Sequence, residues 1–281
     1  MVCAWQPLIN ILPPPMRTEV DKLGRDRLLE LRLRRDMPPE LICSNGNIRL
    51  SQAVTGEMLQ YVVNTACRYS PWTAATAAEG YITAPGGHRI GLCGEAILRD
   101  GKMVDMKWIS SLCIRVCRDF QGIGKGASLN GSLLILGRPG SGKTTLLRDL
   151  IRLRSEKGQG SIAVVDERGE LFPIVQGKSC FSPGDRTDIL SRCPKKQGID
   201  FVLRTMGPST IAIDEITARE DCDGLTNALW CGVDLLATAH APSLREFLKR
   251  PIYKPLIDSR VFSTVLVMQP DKTWREERIP L

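Results

Sequence analysis

The sequence lacks any apolar run that approaches the roughly 20 residues needed to cross a bilayer as a helix. Its first residues, MVCAWQPLINILPPPMR, also lack the basic start and the small-residue cleavage site of a secretory signal peptide. Because both membrane and export signals are missing, we expect a cytoplasmic protein.

Aromatic residues are scarce, at 5% of the chain, and no basic run is interleaved with them. The stacking platform that single-stranded nucleic acid usually requires is therefore missing, and a nucleic-acid partner is not expected. The net charge of +7 is mildly basic and suits membrane surfaces, nucleic acid or nucleotides alike. The charge alone therefore leaves these three classes of partner open.

Paired cysteine motifs are also lacking. The ten cysteines are scattered, and Cys113 with Cys117 forms the only close pair, with no second pair to complete a zinc site. This pattern argues against a disulfide scaffold and a structural metal centre, so we expect reduced cysteines.

The 281 residues are enough for two domains, and the hydrophobic pattern changes part-way along the chain. Residues 1–119 mix helical and strand patterns and predict a small α/β domain with an antiparallel sheet after Tyr81. Residues 120–131 are rich in glycine and predict a linker. Residues 132–281 alternate apolar strands (SLLIL, SIAVVDE, TIAIDE, VDLLATAH, VFSTVLVM) with helical segments, which predicts an α/β domain with a buried parallel sheet.

The segment GRPGSGKT, residues 137–144, is a complete phosphate-binding loop between a strand and a helix. Gly137, Gly140 and Gly142 allow successive N–H groups to surround a phosphate, and the helix N-terminus favours an anion. Lys143 adds a cation for the β- and γ-phosphates, and Thr144 adds a hydroxyl for Mg²⁺. The predicted nucleotide-binding residues are Gly137, Arg138, Pro139, Gly140, Ser141, Gly142, Lys143, Thr144 and Thr145.

Two apolar strands end in adjacent carboxylates. Asp214 and Glu215 end TIAIDE, where Asp214 suits Mg²⁺ and Glu215 suits the attacking water. Asp166 and Glu167 end SIAVVDE and form a second acidic pair. Together with the loop, these pairs predict an enzyme that hydrolyses ATP with Mg²⁺, the metal being held through the nucleotide by Thr144, Asp214 and Asp166.

His240 ends VDLLATAH, a strand that should run parallel to the others and end at the same edge. That position suits a group that senses the γ-phosphate or orients water. A lone histidine is as often a structural hydrogen-bonding residue, so the spacing leaves both roles open.

Several motifs together resemble the stage III sporulation protein AA family: GRPGSGKTTLLRDL, VVDERGEL, GDRTDILSRCPKKQGI, IAIDEI and LLATAH, with PPPMR and LLELRLRRDMPPEL upstream. That family is similar in turn to the hexameric ATPases of type II and type IV secretion. The resemblance implies a RecA-like motor domain, a hexamer, and membrane-embedded partners in a channel facing the mother-cell cytoplasm. It also implies catalytic roles for Lys143, Glu167, Glu215 and His240, with His240 reading the γ-phosphate.

Ring ATPases also use arginines to neutralise charge that develops on the transferred phosphoryl group. Arg89 and Arg115, in the predicted N-terminal sheet, are our candidates for this contact. Two other functions stay open: an ATPase stimulated by nucleic acid, and a nucleotide-gated scaffold with little turnover.

Overall fold

The computed structural model describes residues 2–67, 80–158, 160–175 and 177–279, without the side chains of Lys102 and Asp105. The chain forms two compact units. The first comprises Met1–Asp119 and Ile174–Cys180, and the second comprises Phe120–Pro173 and Phe181–Leu281. The predicted linker, 120–131, therefore belongs to the second unit, and the short segment Ile174–Cys180 belongs to the first.

The first unit packs helices on one face of a six-stranded antiparallel sheet with the order β3-β2-β1-β6-β5-β4. Leu31 and Leu33 of β1 lie in the core, whereas the alternate residues Arg32 and Arg34 do not. This alternation is why the segment forms a half-buried strand. The strands are β1 (Leu28–Arg34), β2 (Glu40–Cys43), β3 (Gly46–Arg49), β4 (Tyr81–Thr83), β5 (Arg89–Arg99) and β6 (Lys102–Arg115). The helices are α1 (Trp5–Ile11), α2 (Pro14–Leu23) and α3 (Gly56–Cys67).

The antiparallel sheet predicted after Tyr81 is present, and its hairpin turns at Asp100 and Gly101. Both residues have positive φ, 52° and 72°, as a tight two-residue turn requires. A separate two-stranded sheet pairs β9 (Ile174–Val175) with β10 (Lys178–Ser179).

The second unit contains a seven-stranded sheet with the order β11-β8-β12-β13-β7-β14-β15, parallel except for β15. Its strands are β7 (Leu133–Gly137), β8 (Ile162–Asp166), β11 (Thr187–Ser191), β12 (Thr210–Glu215), β13 (Asp234–His240), β14 (Thr264–Met268) and β15 (Trp274–Arg278). Its helices are α4 (Lys143–Glu156), α5 (Lys195–Thr205), α6 (Arg219–Trp230), α7 (Leu244–Lys249) and α8 (Lys254–Asp258). The five predicted parallel strands are present, and the sheet gains β11 and β15 at its edges.

The parallel arrangement of the strands places the polar residues at the strand ends. Each residue of β7, β8 and β14 is buried, so chemistry is confined to the strand ends. His240 pairs with Gly137 across β13 and β7, and β12 lies between β13 and β8. The ends of β7, β8, β12 and β13 therefore meet at one edge of the sheet.

Within the described residues, no helix is both long enough and apolar enough to span a membrane.

Candidate active site

The loop between β7 and α4 has the backbone conformation that its glycines predict. Gly140 and Gly142 have φ of 73° and 100°, which disfavours any residue with a side chain. At Gly137, an added Cβ would lie 2.4 Å from Ser141 Oγ and 2.9 Å from Met268 Cβ. The loop leads directly into α4, so the helix N-terminus and its partial positive charge lie at the loop.

Three predicted catalytic side chains form a continuous chain of contacts. Lys143 Nζ donates to Arg138 O at 3.1 Å and lies 3.0 Å from His240 Nδ1. His240 Nε2 lies 2.7 Å from Glu215 Oε1. Because an ammonium group only donates, Nδ1 accepts, and Nε2 carries the hydrogen that faces Glu215. Burial lowers the pKa of Lys143, and the negative charges of Glu215 and Asp214 oppose this effect.

Asp214 lies beside the first turn of α4. Its carboxylate accepts from Thr144 Oγ1 at 3.2 Å and from Thr238 Oγ1 at 3.5 Å. Burial is the main cause that raises the pKa of Asp214, followed by the negative charge of Asp166. A hydroxyl and a carboxylate side by side at a helix N-terminus are the oxygen ligands that Mg²⁺ prefers. The donor set at Thr144 and Asp214 therefore fits this ion.

Two cavities border the loop. One has a volume of about 400 Å³ and is lined by Pro139, Gly140, Gly142, Lys143, Thr144, Thr145, Glu215, Thr238 and His240. The other, of about 450 Å³, lies towards the end of β14 and includes Arg138, Gly140, Ser141, Val267, Met268 and Gln269 in its lining. Since Gly140 lines both, the two cavities are neighbours at this loop.

Asp166 makes its hydrogen bonds with the loop that follows it. Its side chain is buried, and its two carboxylate oxygens accept the backbone N–H groups of Glu170 and Phe172, each at 3.0 Å. Burial raises the pKa of this carboxyl, against the opposing effect of the backbone hydrogen bonds. Both oxygens thus shape residues 167–172, and a role of Asp166 towards Mg²⁺ stays a prediction.

Arg148, on α4, also contacts the loop that follows β8. The sequence motifs gave no indication of this role. Its Nε donates to Leu171 O at 2.6 Å, and its second amino group donates to Glu170 O at 3.1 Å. The guanidinium also lies 4.4 Å from the centre of the Phe181 ring. The phosphate-binding helix is thereby bonded directly to the acidic segment after β8.

Glu167 extends from that segment to a lysine. Its Oε2 accepts from Lys195 Nζ at 2.6 Å. The two residues line a small cavity together with Asp214 and Glu215. Glu167 thus lies close to the residues at the end of β12.

Comparison with known proteins identifies the family. The family model "Sporulation stage III, protein AA" matches residues 6–277. A relative from Bacillus subtilis (strain 168), stage III sporulation protein AA, is 34% identical over 94% of this chain and 91% of its own length. This chain belongs to the stage III sporulation protein AA family.

Solved structures share the fold of this family member. The ATPase DotB of Legionella pneumophila aligns with a TM-score of 0.59 at 17% identity, over 95% of this chain and 80% of DotB. The pilus retraction motor PilT, solved with bound ADP, aligns with a TM-score of 0.60 at 14% identity, over 89% of this chain and 76% of PilT. The fold class is therefore confirmed as α/β, with a RecA-like parallel sheet preceded by a smaller α/β unit.

The two arginine candidates of this family member lie opposite each other on β5 and β6 of the first unit. The Arg89 guanidinium lies 4.0 Å from the centre of the Tyr81 ring, and Arg115 Nε lies 3.6 Å from Glu30 Oε2. Each thus has a contact within its own unit, and a role towards nucleotide stays a prediction.

Three further residues contact the predicted site residues or the segment after β8, although no motif pointed to them: Thr238, Arg148 and Lys195. Thr238 could have been suspected, since it precedes His240 by two residues on the same strand and so faces the same side. Arg148 and Lys195 carried no such signal, because their partners lie 22 to 28 positions away in sequence.

Proposed function

We propose that this protein hydrolyses ATP with Mg²⁺ at the edge of the parallel sheet. The observation that carries the proposal is the convergence of Lys143, Thr144, Asp214, Glu215 and His240 around one phosphate-binding loop. These residues come from α4, β12 and β13, so only the folded sheet brings them together.

Binding follows from the loop and its helix. The backbone N–H groups of the loop 137–144, in which Pro139 has none to give, and the Lys143 ammonium hold the β- and γ-phosphates. Thr144 and Asp214 would hold Mg²⁺, which when bound neutralises charge on these phosphates. The cavity beside Val267, Met268 and Gln269 offers an apolar floor and one amide for the nucleoside.

Hydrolysis follows from Glu215. Its carboxylate lies at the cavity above the loop, where it can orient a water molecule and accept its proton. His240 contacts both Glu215 and Lys143, so it can report to the carboxylate whether Lys143 is engaged with phosphate. This geometry supports the γ-phosphate sensing expected of His240.

At the biological level, we propose a motor that assembles as a hexameric ring of identical chains. It acts on membrane-embedded components of a sporulation channel. Membership of a sporulation stage III family and a fold shared with DotB and PilT support this proposal. The expected location is the mother-cell cytoplasm, at the membrane through these partners.

The test is phosphate release from ATP by the purified protein, with and without Mg²⁺. Lys143→Ala should abolish nucleotide binding, because it removes the phosphate cation. Glu215→Gln should retain binding and lose at least about a hundredfold in turnover. Lys157→Ala, an exposed lysine at the other end of α4, is the matched control and should behave as wild type.

Other outcomes would select another function. Binding of ATP without turnover, even in an oligomer, would favour the scaffold. Stimulation by nucleic acid that salt abolishes would favour a nucleic-acid motor. A strict monomer at high concentration with nucleotide would count against the ring.

A further inference from the structure

Lys195 is a buried lysine that the proposed reaction does not yet use. It begins α5 and is only 7% exposed. Its Nζ donates to Glu167 Oε2 at 2.6 Å and to Thr217 Oγ1 at 3.3 Å, and it lies 3.5 Å from Asp221 Oδ2. A lysine is seldom buried unless it is paired, so these contacts are what hold the ammonium in place.

The partners of Lys195 come from two neighbouring strands. Glu167 directly follows β8, whereas Thr217 and Asp221 follow β12, and the two strands are paired in the sheet. Lys195 therefore bridges the acidic segment after β8 to the backbone that continues from Asp214 and Glu215.

A small cavity shows how close this bridge lies to the proposed chemistry. It has a volume of about 20 Å³ and is lined by Glu167, Arg168, Lys195, Asp214, Glu215 and Thr217. That volume can hold about one water molecule between polar groups. Lys195 and the proposed base Glu215 thus border the same space.

Charge explains why a cation is needed at this position. Asp166, Glu167, Asp214 and Glu215 all lie at the ends of β8 and β12. Like charges at short distance repel one another, and the effect is strong where water is partly excluded. Without Lys195, Glu167 would lose its partner and be driven away from the other carboxylates.

Asp221 does not depend on Lys195 in the same way. Its carboxylate also accepts the N–H groups of Thr217 and Ala218, at 2.9 Å and 3.1 Å, and thereby caps the start of α6. Loss of Lys195 therefore leaves Asp221 bonded and α6 capped, whereas Glu167 is released. Loss of Lys195 is therefore expected to affect mainly the acidic segment after β8, which contains Glu167.

We propose that Lys195 is a positioning residue for ATP hydrolysis, which holds Glu167 against the end of β12 and so fixes the acidic segment beside Glu215. This inference rests on the proposed function. It assigns a role to Lys195 within GDRTDILSRCPKKQGI, a segment whose residues by themselves indicate none.

Lys195→Met tests the inference, with Lys196→Met as the matched control, since Lys196 is the next residue on α5 and is exposed. In the oligomeric protein, Lys195→Met should lower kcat by roughly ten- to a hundredfold, as expected when a catalytic segment is misplaced. The Kd for ATP should change by no more than about threefold, because the polar contacts of Lys195 are with Glu167, Thr217 and Asp221. Lys195→Arg should recover part of the rate, and Lys196→Met should match wild type.

A double mutant identifies the partner. If Lys195 acts through Glu167, adding Lys195→Met to Glu167→Gln should cause little further loss of kcat. Losses that multiply, or a fall in ATP affinity equal to the fall in kcat, would overturn the positioning role.

Hydrogen exchange separates this inference from the proposed function, because it needs no turnover. Amide exchange in residues 167–172 should be faster in Lys195→Met than in wild type or Lys196→Met. Unchanged exchange would refute the inference even if the protein hydrolyses ATP. If wild type did not hydrolyse ATP but exchange were faster in Lys195→Met, the proposed ATPase function would be refuted, whereas the contact by which Lys195 holds residues 167–172 would be supported.

Discussion

Gly198 offers a sharp test of how closely α5 packs on the sheet. An alanine Cβ at this position would lie 2.4 Å from Val165 Cγ1, and 3.3 Å and 3.4 Å from Val165 Cγ2 and Leu190 Cδ2. Val165 is a β-branched residue in the fully buried strand β8, so it has little freedom to move. Gly198→Ala should therefore push α5 away from β8.

The magnitude follows from two opposing effects. Replacing glycine by alanine inside a helix stabilises it by about 1 kcal/mol. Overpacking a well-packed core costs about 1–3 kcal/mol, and a 2.4 Å contact with a stiff side chain belongs at the upper end. We expect a net loss of about 1–2 kcal/mol in the free energy of unfolding.

Gly224, on the facing helix α6, provides the control. An alanine Cβ there would lie 3.2 Å from Ile199 Cδ1, the far end of a flexible side chain, and 3.6 Å from Lys196 Cα. The contact can relax, so Gly224→Ala should leave stability unchanged or raise it by about 0.5 kcal/mol.

Thermal unfolding followed by circular dichroism measures both variants. Gly198→Ala should lower Tm by about 2–8 °C, and Gly224→Ala should not lower it. Because α5 begins at Lys195, Gly198→Ala should also reduce ATP hydrolysis. If Gly198→Ala melted like wild type, or both variants lost the same stability, the packing argument would be refuted.

Two further predictions concern charged residues. Asp214→Asn should raise Tm near pH 7, because the fold raises the pKa of this carboxyl above its usual 3.8 and so disfavours its ionised form. The difference in stability between Asp214→Asn and wild type should shrink as the pH falls towards 3.8. Melting curves recorded over this pH range measure it, and a difference that stayed constant would contradict the prediction. Arg148→Lys should reduce ATP hydrolysis more than Arg154→Lys does, because Arg148 donates to the carbonyls of residues 170 and 171, whereas Arg154 donates to that of Gly131. The measurement is ATP hydrolysis by the two variants at equal fractions of folded protein. Equal losses would argue against it.

Much of the second unit could be predicted because its signals are local. Glycines 140 and 142 specify a backbone that few other residues adopt, and the apolar runs of β7 and β8 specify strands buried on both faces. Parallel strands then place Asp214 and His240 at one edge. None of these steps needs knowledge of a distant contact.

The role of Asp166 could not be predicted in the same way. Its position at a strand end is compatible with a metal ligand or with a loop anchor, and the two differ only in where the carboxylate points. The backbone of residues 170–172 turns back and supplies N–H groups to both oxygens, a contact that the position at a strand end does not reveal.

By itself, the sequence determined the phosphate-binding loop, the parallel strands and the carboxylates at their ends, because these depend on backbone preferences and hydrophobic period over short stretches. Only the tertiary structure decided that Lys195 meets Glu167 and that Arg148 holds the loop after β8. These are contacts between side chains from separate elements, and their geometry depends on how the helices pack against the sheet. It also decided that Ile174–Cys180 belongs to the first unit, since so short a segment carries no signal of where it will pack.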